Sequence, residues 1–291
     1  MMYVARTIAD LRIKRRSLGL LGFVPTMGAL HDGHMSLVAL AAERCEAVAV
    51  SIFVNPTQFA PNEDLARYPR PIEADLGQLE DAGVDLVFLP AQEDIYASGF
   101  DTHLEVGSIS DRLEGAIRPG HFSGVATVVT KLFNIMTPDL AFFGQKDAQQ
   151  TRVILQLVRD LNMPVEIVIG PTIREPDGLA LSSRNAYLDV EQRAEALSLF
   201  HGLRAAQSAF TAGERDVDRL RMLASAPIRQ TRGVIDYVSI ADPESLEELD
   251  VVRADGALVL AAARFGATRL LDNVRLGGEA VDDQGTPRVA S

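Results

Sequence analysis

A single cysteine, Cys45, stands in the whole chain, so neither an intrachain disulfide framework nor a cysteine-built zinc cluster can form. That usage fits a reducing cytoplasm, and Cys45, just after a helical stretch, reads as a small core residue. Cations are outnumbered, 28 Lys and Arg against 40 Asp and Glu, for a net charge of -12. A surface of that sign argues against broad contact with nucleic acid or an anionic membrane. No apolar run is long enough to cross a bilayer. Lys14-Arg15-Arg16 followed by Leu18 to Val24 imitates a signal peptide. Its apolar part is short, holds Gly19 and Gly22 and meets Pro25, so it reads as a helix end followed by a first strand. Internal repeats are missing too, as are the phosphate loop Gly-x-x-x-x-Gly-Lys-Ser/Thr and the dinucleotide pattern Gly-x-Gly-x-x-Gly. An acidic protein that handles an anion must gather its cations in particular motifs.

What is present can bury a substantial core. Apolar residues make up 47% of the chain, and the length suits one large or two modest domains. Thr7 to Leu18 reads as an amphipathic helix. Leu20 to Val24, Ala47 to Val54 and Asp85 to Leu89 read as buried strands. Met35 to Ala42 and Ile72 to Ala82 read as the helices between them. This alternation predicts a doubly wound α/β domain with parallel strands. Residues 91–117 predict a short helix near Asp94, a strand near His103 to Val106 and a helical turn near Asp111 to Glu114. Val125 to Met136 predicts a helix, as does the stretch ending at Asp160; Leu140 to Phe143 and Val165 to Ile169 predict strands. After Tyr187 the pattern changes to helices at Asp189 to Thr211 and Asp216 to Ala226. Strands follow at Val234 to Ile240, Ala257 to Ala263 and Thr268 to Val274, which together make a smaller α+β unit. The division expected is 1-172 and 173-291, with a frayed tail from Gly277.

The chemistry concentrates in a few turns. Pro25-Thr26-Met27-Gly28-Ala29-Leu30-His31-Asp32-Gly33-His34 joins the first strand to a helix, with Pro25 and Gly28 breaking the strand and Asp32 or Gly33 capping the helix. Two histidines three apart share one face beside free N–H groups and the positive helix end, a setting for phosphate. Asn55-Pro56-Thr57-Gln58-Phe59 lies at a strand carboxyl end, where open sheets bind ligands; Asn55 and Gln58 offer donors and acceptors to a ligand or to the loop itself. Arg118-Pro119-Gly120-His121-Phe122-Ser123-Gly124 is a second turn rich in glycine and cations that opens a helix, with Ser123 or Gly124 as its cap. Lys146, in the first turn of a helix, opposes the helix dipole, a conflict resolved by a bound anion or by Asp147. Ser182, Ser183 and Arg184 suit phosphate oxygens.

These segments, in this order and spacing and across nearly the whole chain, resemble the pantothenate synthetase family, within the nucleotidyltransferases that carry a His-x-Gly-His signature. The resemblance implies a Rossmann-like domain followed by a lid domain bearing the Ser-Ser-Arg-Asn loop. It implies ATP-driven condensation of (R)-pantoate with β-alanine through pantoyl adenylate, releasing AMP and pyrophosphate, in a cytoplasmic homodimer that binds no nucleic acid and no membrane. It places His31, His34, Lys146 and Arg184 in catalysis. Met27, Gly28, Ala29, Leu30, Asp32, Gly33, Gly144, Gln145, Asp147, Ile173, Leu181, Ser182 and Ser183 join them around ATP. Gln58 and Gln150 are expected on pantoate, with Asn55, Pro25 and Thr26 beside them. Mg2+ is expected to bridge phosphates, with Asp75 as its candidate protein ligand. Three positions depart from the commoner pattern: Gln145 replaces a frequent glutamate, Ala74 stands beside Asp75 where some relatives carry a second acid, and Arg184 stands where the wider superfamily uses lysine.

Overall fold

The computed structural model describes residues 1–60, 63, 65–253 and 256–277, which form two compact units. The first, running to Gly170 apart from Lys146–Ala148, is built on a six-stranded sheet. Its strands are β1 (Tyr3–Ala5), β2 (Leu21–Thr26), β3 (Ala47–Ile52), β4 (Leu86–Phe88), β5 (Leu140–Gly144) and β6 (Glu166–Gly170). Their order is β1-β4-β3-β2-β5-β6, and every pair is parallel. The chain winds outward from β2 through β3 to β4, then returns to β2's other side for β5. The order therefore reverses between β2 and β5, and that reversal is where such sheets leave a crevice at their carboxyl ends.

Alternation along each strand supplies both faces. Phe23, Ala49, Phe88 and Phe143 join one buried cluster, and Val24, Val50, Val87 and Phe142 join the other. The first cluster is covered by α1 (Ile8–Arg15), α6 (His121–Met136) and α7 (Ala148–Asp160), the second by α2 (Asp32–Arg44) and α3 (Ile72–Asp81). Two single-turn helices, α4 (Gln92–Ile95) and α5 (Glu114–Ile117), lie in the connection before α6.

The structure departs from the sequence reading at four points in this unit. The edge strand β1 has no counterpart in the sequence reading, because three residues are too short to show a period. His103 to Val106 forms no strand. Strand β2 continues through Pro25 to Thr26. The proline is tolerated because Thr26 turns its carbonyl to β3, accepting Phe53 N–H at 3.0 Å, and β5 pairs no further than Phe23. Helix α6 starts at His121, capped by Gly120 in the left-handed region at φ 82° rather than by Ser123 or Gly124.

The second unit holds Lys146–Ala148 and the chain from Pro171. Helices α8 (Val190–Thr211) and α9 (Val217–Arg229) pack on an antiparallel sheet of β7 (Val234–Ala241), β8 (Ala257–Phe265) and β9 (Thr268–Leu276). Asp189 caps α8 by accepting Gln192 N–H at 2.8 Å, and Asp216 caps α9 by accepting Arg219 N–H at 2.7 Å. Leu199, Leu203, Leu220, Val259 and Phe265 anchor its own core. The expected frayed tail from Gly277 falls, beyond that residue, outside the described residues.

Candidate active site

At the carboxyl end of β2 the Thr26 hydroxyl donates to Ser51 O at 2.7 Å and accepts Gly28 N–H at 3.2 Å. The chain then turns through two left-handed residues, Gly28 at φ 82° and Ala29 at φ 52°. A Cβ on Gly28 would stand 3.0 Å from both Asp75 Oδ2 and Ile52 Cγ2. Asp75 is fully buried in the first turn of α3 and braces this corner: Oδ2 accepts Ala29 N–H and Oδ1 accepts Leu30 N–H, each at 2.9 Å. Its carboxylate thus fixes the backbone that feeds the histidines.

His31 is the N-cap of α2, not Asp32 or Gly33. Its Nδ1 accepts Gly33 N–H at 3.1 Å, while His34 Nδ1 accepts His31 N–H at 3.3 Å. The pair forms a reciprocal capping box, with ring centroids 4.1 Å apart. A ring nitrogen that accepts a backbone N–H carries no proton, so each neutral imidazole keeps its proton on Nε2. Capping therefore leaves both rings with a donor on the far side of the ring, beside the positive end of α2.

The Asn55–Phe59 loop is a 3-10 turn, Pro56–Gln58, capped by Asn55. Asn55 is buried, and its orientation is forced by its neighbours. Its Oδ1 accepts Thr57 N–H and, at 2.8 Å, Tyr96 O–H; its Nδ2 donates to Gly124 O at 3.1 Å, a carbonyl that can only accept. The same Nδ2 donates to Gln58 Oε1 at 3.1 Å, which turns Gln58 Nε2 away from Asn55 and toward Met27 Sδ at 3.0 Å. Asn55 is thus committed to supporting Gln58. Tyr96 carries no pattern that sequence reasoning could have used; burial pushes its hydroxyl pKa up.

The turn at 118–124, similar in sequence to the histidine turn, differs in structure. Arg118 binds both oxygens of Glu63 at 2.6 Å, donates to Gln58 O at 3.2 Å and lies 3.2 Å from His121 Nε2. His121 Nδ1 is 2.8 Å from the same Gln58 carbonyl. Burial and the Arg118 charge push the His121 pKa down to about 4. Burial of Glu63 opposes its ionisation, yet the Arg118 hydrogen bond and charge hold its carboxyl below the usual range. Gln149, at the start of α7, clamps the preceding loop by donating to Ile109 O at 2.9 Å and Arg112 O at 2.8 Å. Gly144 ends β5 at the sheet's reversal, Gln145 opens the 3-10 turn that follows, and Gln150 lies one residue beyond Gln149 on α7.

In the second unit Lys146, Ser182, Asn185 and Asp272 line one concavity. Lys146 Nζ is 3.5 Å from Asp147 Oδ1, and its carbonyl accepts Asn273 Nδ2 at 2.9 Å. Ile173 O accepts Leu181 N–H at 3.0 Å, and Ser182 caps the turn Ser183–Tyr187 by accepting Arg184 N–H at 3.3 Å. Arg174 supports this wall by a bidentate pair with Asp272 at 2.6 and 2.9 Å.

The family model for pantoate-beta-alanine ligase matches residues 3–275. The pantothenate synthetase of Chloroflexus aurantiacus is 58% identical over 283 residues, spanning 96% of this chain and 99% of that protein. The crystal structure of pantothenate synthetase from Thermus thermophilus aligns with a TM-score of 0.91 at 45% identity, covering 95% of this chain and 100% of that one. The pantoate-beta-alanine ligase of Francisella tularensis, in a complex with beta-gamma ATP and beta-alanine, aligns with a TM-score of 0.80 at 37% identity, covering 94% and 98%. With a family model across nearly its whole length and relatives this similar, the chain belongs to the pantoate–β-alanine ligase family.

Proposed function

We propose that this protein condenses (R)-pantoate with β-alanine at the expense of ATP, forming pantothenate, AMP and pyrophosphate. A pantoate carboxylate oxygen attacks the α-phosphorus, and the bond to the bridging oxygen breaks to release pyrophosphate. The β-alanine amine then attacks the acyl carbon of pantoyl adenylate, loses a proton to solvent and expels AMP. The substrate is the nucleophile, so the protein contributes position and charge.

The observation that carries this reading is the double-histidine cap, which ties both Nδ1 atoms to backbone and leaves each Nε2 as a donor at a helix N-terminus. We assign His31 and His34 to the phosphates, together with Lys146, Ser182, Ser183 and Arg184. Met27, Gly28, Ala29, Leu30, Asp32, Gly33, Gly144, Gln145, Asp147, Ile173 and Leu181 border the nucleotide in this reading. Gln58 Nε2 and Gln150 face pantoate, with Pro25 and Thr26 alongside and Asn55 behind Gln58. Among the described residues no three His, Cys, Asp or Glu side chains gather as a metal site, and both oxygens of Asp75 hold backbone N–H groups. Asp75 would be the one protein carboxylate offered to Mg2+, and phosphate oxygens of a bound nucleotide would supply further ligands. A homodimer in the cytoplasm completes the reading, in keeping with a chain that holds one cysteine, Cys45.

The test is pyrophosphate release from ATP by the full chain with magnesium. Release that requires pantoate, with AMP appearing one for one with pantothenate once β-alanine is added, supports the reading. Equal turnover with unrelated carboxylates, or nucleotide binding without AMP formation, overturns it.

A further inference from the structure

The segment from Arg118 to Gly124 takes no part in the chemistry above, yet Arg118, His121 and the Gly124 carbonyl all reach the loop at 55–58. His121 Nδ1 and Arg118 Nη2 both reach the carbonyl oxygen of Gln58, at 2.8 and 3.2 Å. Gly124 O holds Asn55 Nδ2, which in turn holds Gln58 Oε1. A Cβ on Gly124 would stand 2.5 Å from Thr57 O and 2.8 Å from Gln58 N, so the helix can seat against this loop only through a glycine. Each of the three guanidinium nitrogens of Arg118 meets a protein partner, and its charge is paired with Glu63.

The tautomer of His121 follows from its two neighbours. A carbonyl oxygen can only accept, so Nδ1 carries the proton. Arg118 Nη1 can only donate, so Nε2 is bare. A doubly protonated ring would press N–H against N–H, in keeping with a pKa pushed down to about 4.

We propose that Arg118, His121 and Gly124 form a positioning clamp for Gln58, holding its main-chain carbonyl and its loop so that its side-chain Nε2 is aimed at the substrate acid. The proposal rests on the reading of Gln58 as the pantoate donor. Arg118 and His121 are positioning residues: they touch Gln58, not the reactants. Glu63 fixes the guanidinium, the guanidinium and imidazole fix the carbonyl, and Asn55 fixes the amide. Gln58 is thus held at both ends, and a misplacement of about 1 Å in such a donor costs on the order of 10²-fold in rate.

The test compares His121→Leu, which removes the donor, with His121→Asn, which returns a donor nitrogen at the position of Nδ1. In His121→Leu the KM for pantoate rises about tenfold or more while the KM for ATP stays within about twofold, and His121→Asn restores most of the pantoate KM. Hydrogen–deuterium exchange of residues 55–59 quickens in His121→Leu and returns toward the wild-type rate in His121→Asn. Equal pantoate KM values in wild type and His121→Leu, or pantoate and ATP constants that rise together in proportion to lost folded protein, overturn the clamp. If wild type shows no pantoate-dependent turnover, the ligase reading fails. The exchange data then decide the clamp alone, and unchanged exchange at 55–59 overturns it.

Discussion

His31 divides its ring between two tasks, and substitution can separate them. Nδ1 caps α2, and Nε2 is the donor assigned to phosphate. Asparagine places an acceptor where Nδ1 sits and is itself a preferred cap, but it cannot reach as far as Nε2. His31→Asn is therefore expected to change stability by no more than about 0.5 kcal/mol, measured by urea unfolding. Pantoyl-adenylate formation, followed by pyrophosphate release, is expected to fall about tenfold or more. A large stability loss with turnover per folded molecule preserved would give the ring a structural role alone. His121 makes a different prediction, through pH. Its pKa drops from 6.5 to about 4 on folding, so between those values the unfolded chain binds the extra proton and the native state does not. The His121 contribution is fully present above about pH 6.5 and is lost as pH falls toward 4. Arg118, Glu63 and Glu114 carry the charges that face the ring, and Glu63 stays ionised across most of that window because Arg118 holds it. Unfolding curves taken from pH 7 to 4 are expected to show a stability decline that is smaller in His121→Asn.

At the scale of elements, the corner between β2 and α2 depends on α3. Two consecutive left-handed residues would be unstable in a free loop, and the buried carboxylate of Asp75 holds both following N–H groups. Asp75→Asn replaces one accepting oxygen with a donor set against a backbone N–H. The expected loss is about 1–3 kcal/mol, with slower adenylate formation in the molecules that remain folded. Magnesium titration separates this brace from a metal ligand: excess magnesium leaves a brace variant impaired, whereas restored turnover at high magnesium would return Asp75 to the metal. The sequence made much of this corner legible. Glycine, two histidines and a strand-to-helix junction marked the corner itself, and the alternation of strands and helices signalled the parallel sheet. It hid what depends on distant partners. That Asp75 faces Ala29 and Leu30, 46 and 45 residues away, leaves no mark in local spacing. The turn at 118–124 has the same glycine-and-cation composition as the histidine turn, yet Glu63 and Gln58 draw its cations inward. Composition could not separate the two.

For the molecule as a whole, the clearest structural fact is that each unit owns its core. The parallel sheet buries two clusters, one per face, and α8, α9 and the antiparallel sheet bury a third made wholly of residues from 179 onward. Hydrophobic burial is additive in area and local in reach, so damage to one cluster should register first among its own contacts. Leu203, fully buried on α8 among residues that include Leu199, Leu220 and Val259, is the position to test this. Leu203→Ala removes buried methyl groups and leaves a cavity, an expected cost of about 2–5 kcal/mol. Hydrogen exchange in the full chain should quicken across α8, α9 and β7–β9 while the amides of β2, β3 and β5 keep most of their protection. Adenylate formation should fall as well, because the Lys146 and Ser182 concavity is walled by Leu199 and Leu270 of that same core. Equal loss of protection in both sheets would mean that the two cores melt as one cooperative unit. Loss confined to α8 and its neighbours, with turnover intact, would detach the serine loop from the reaction assigned to it.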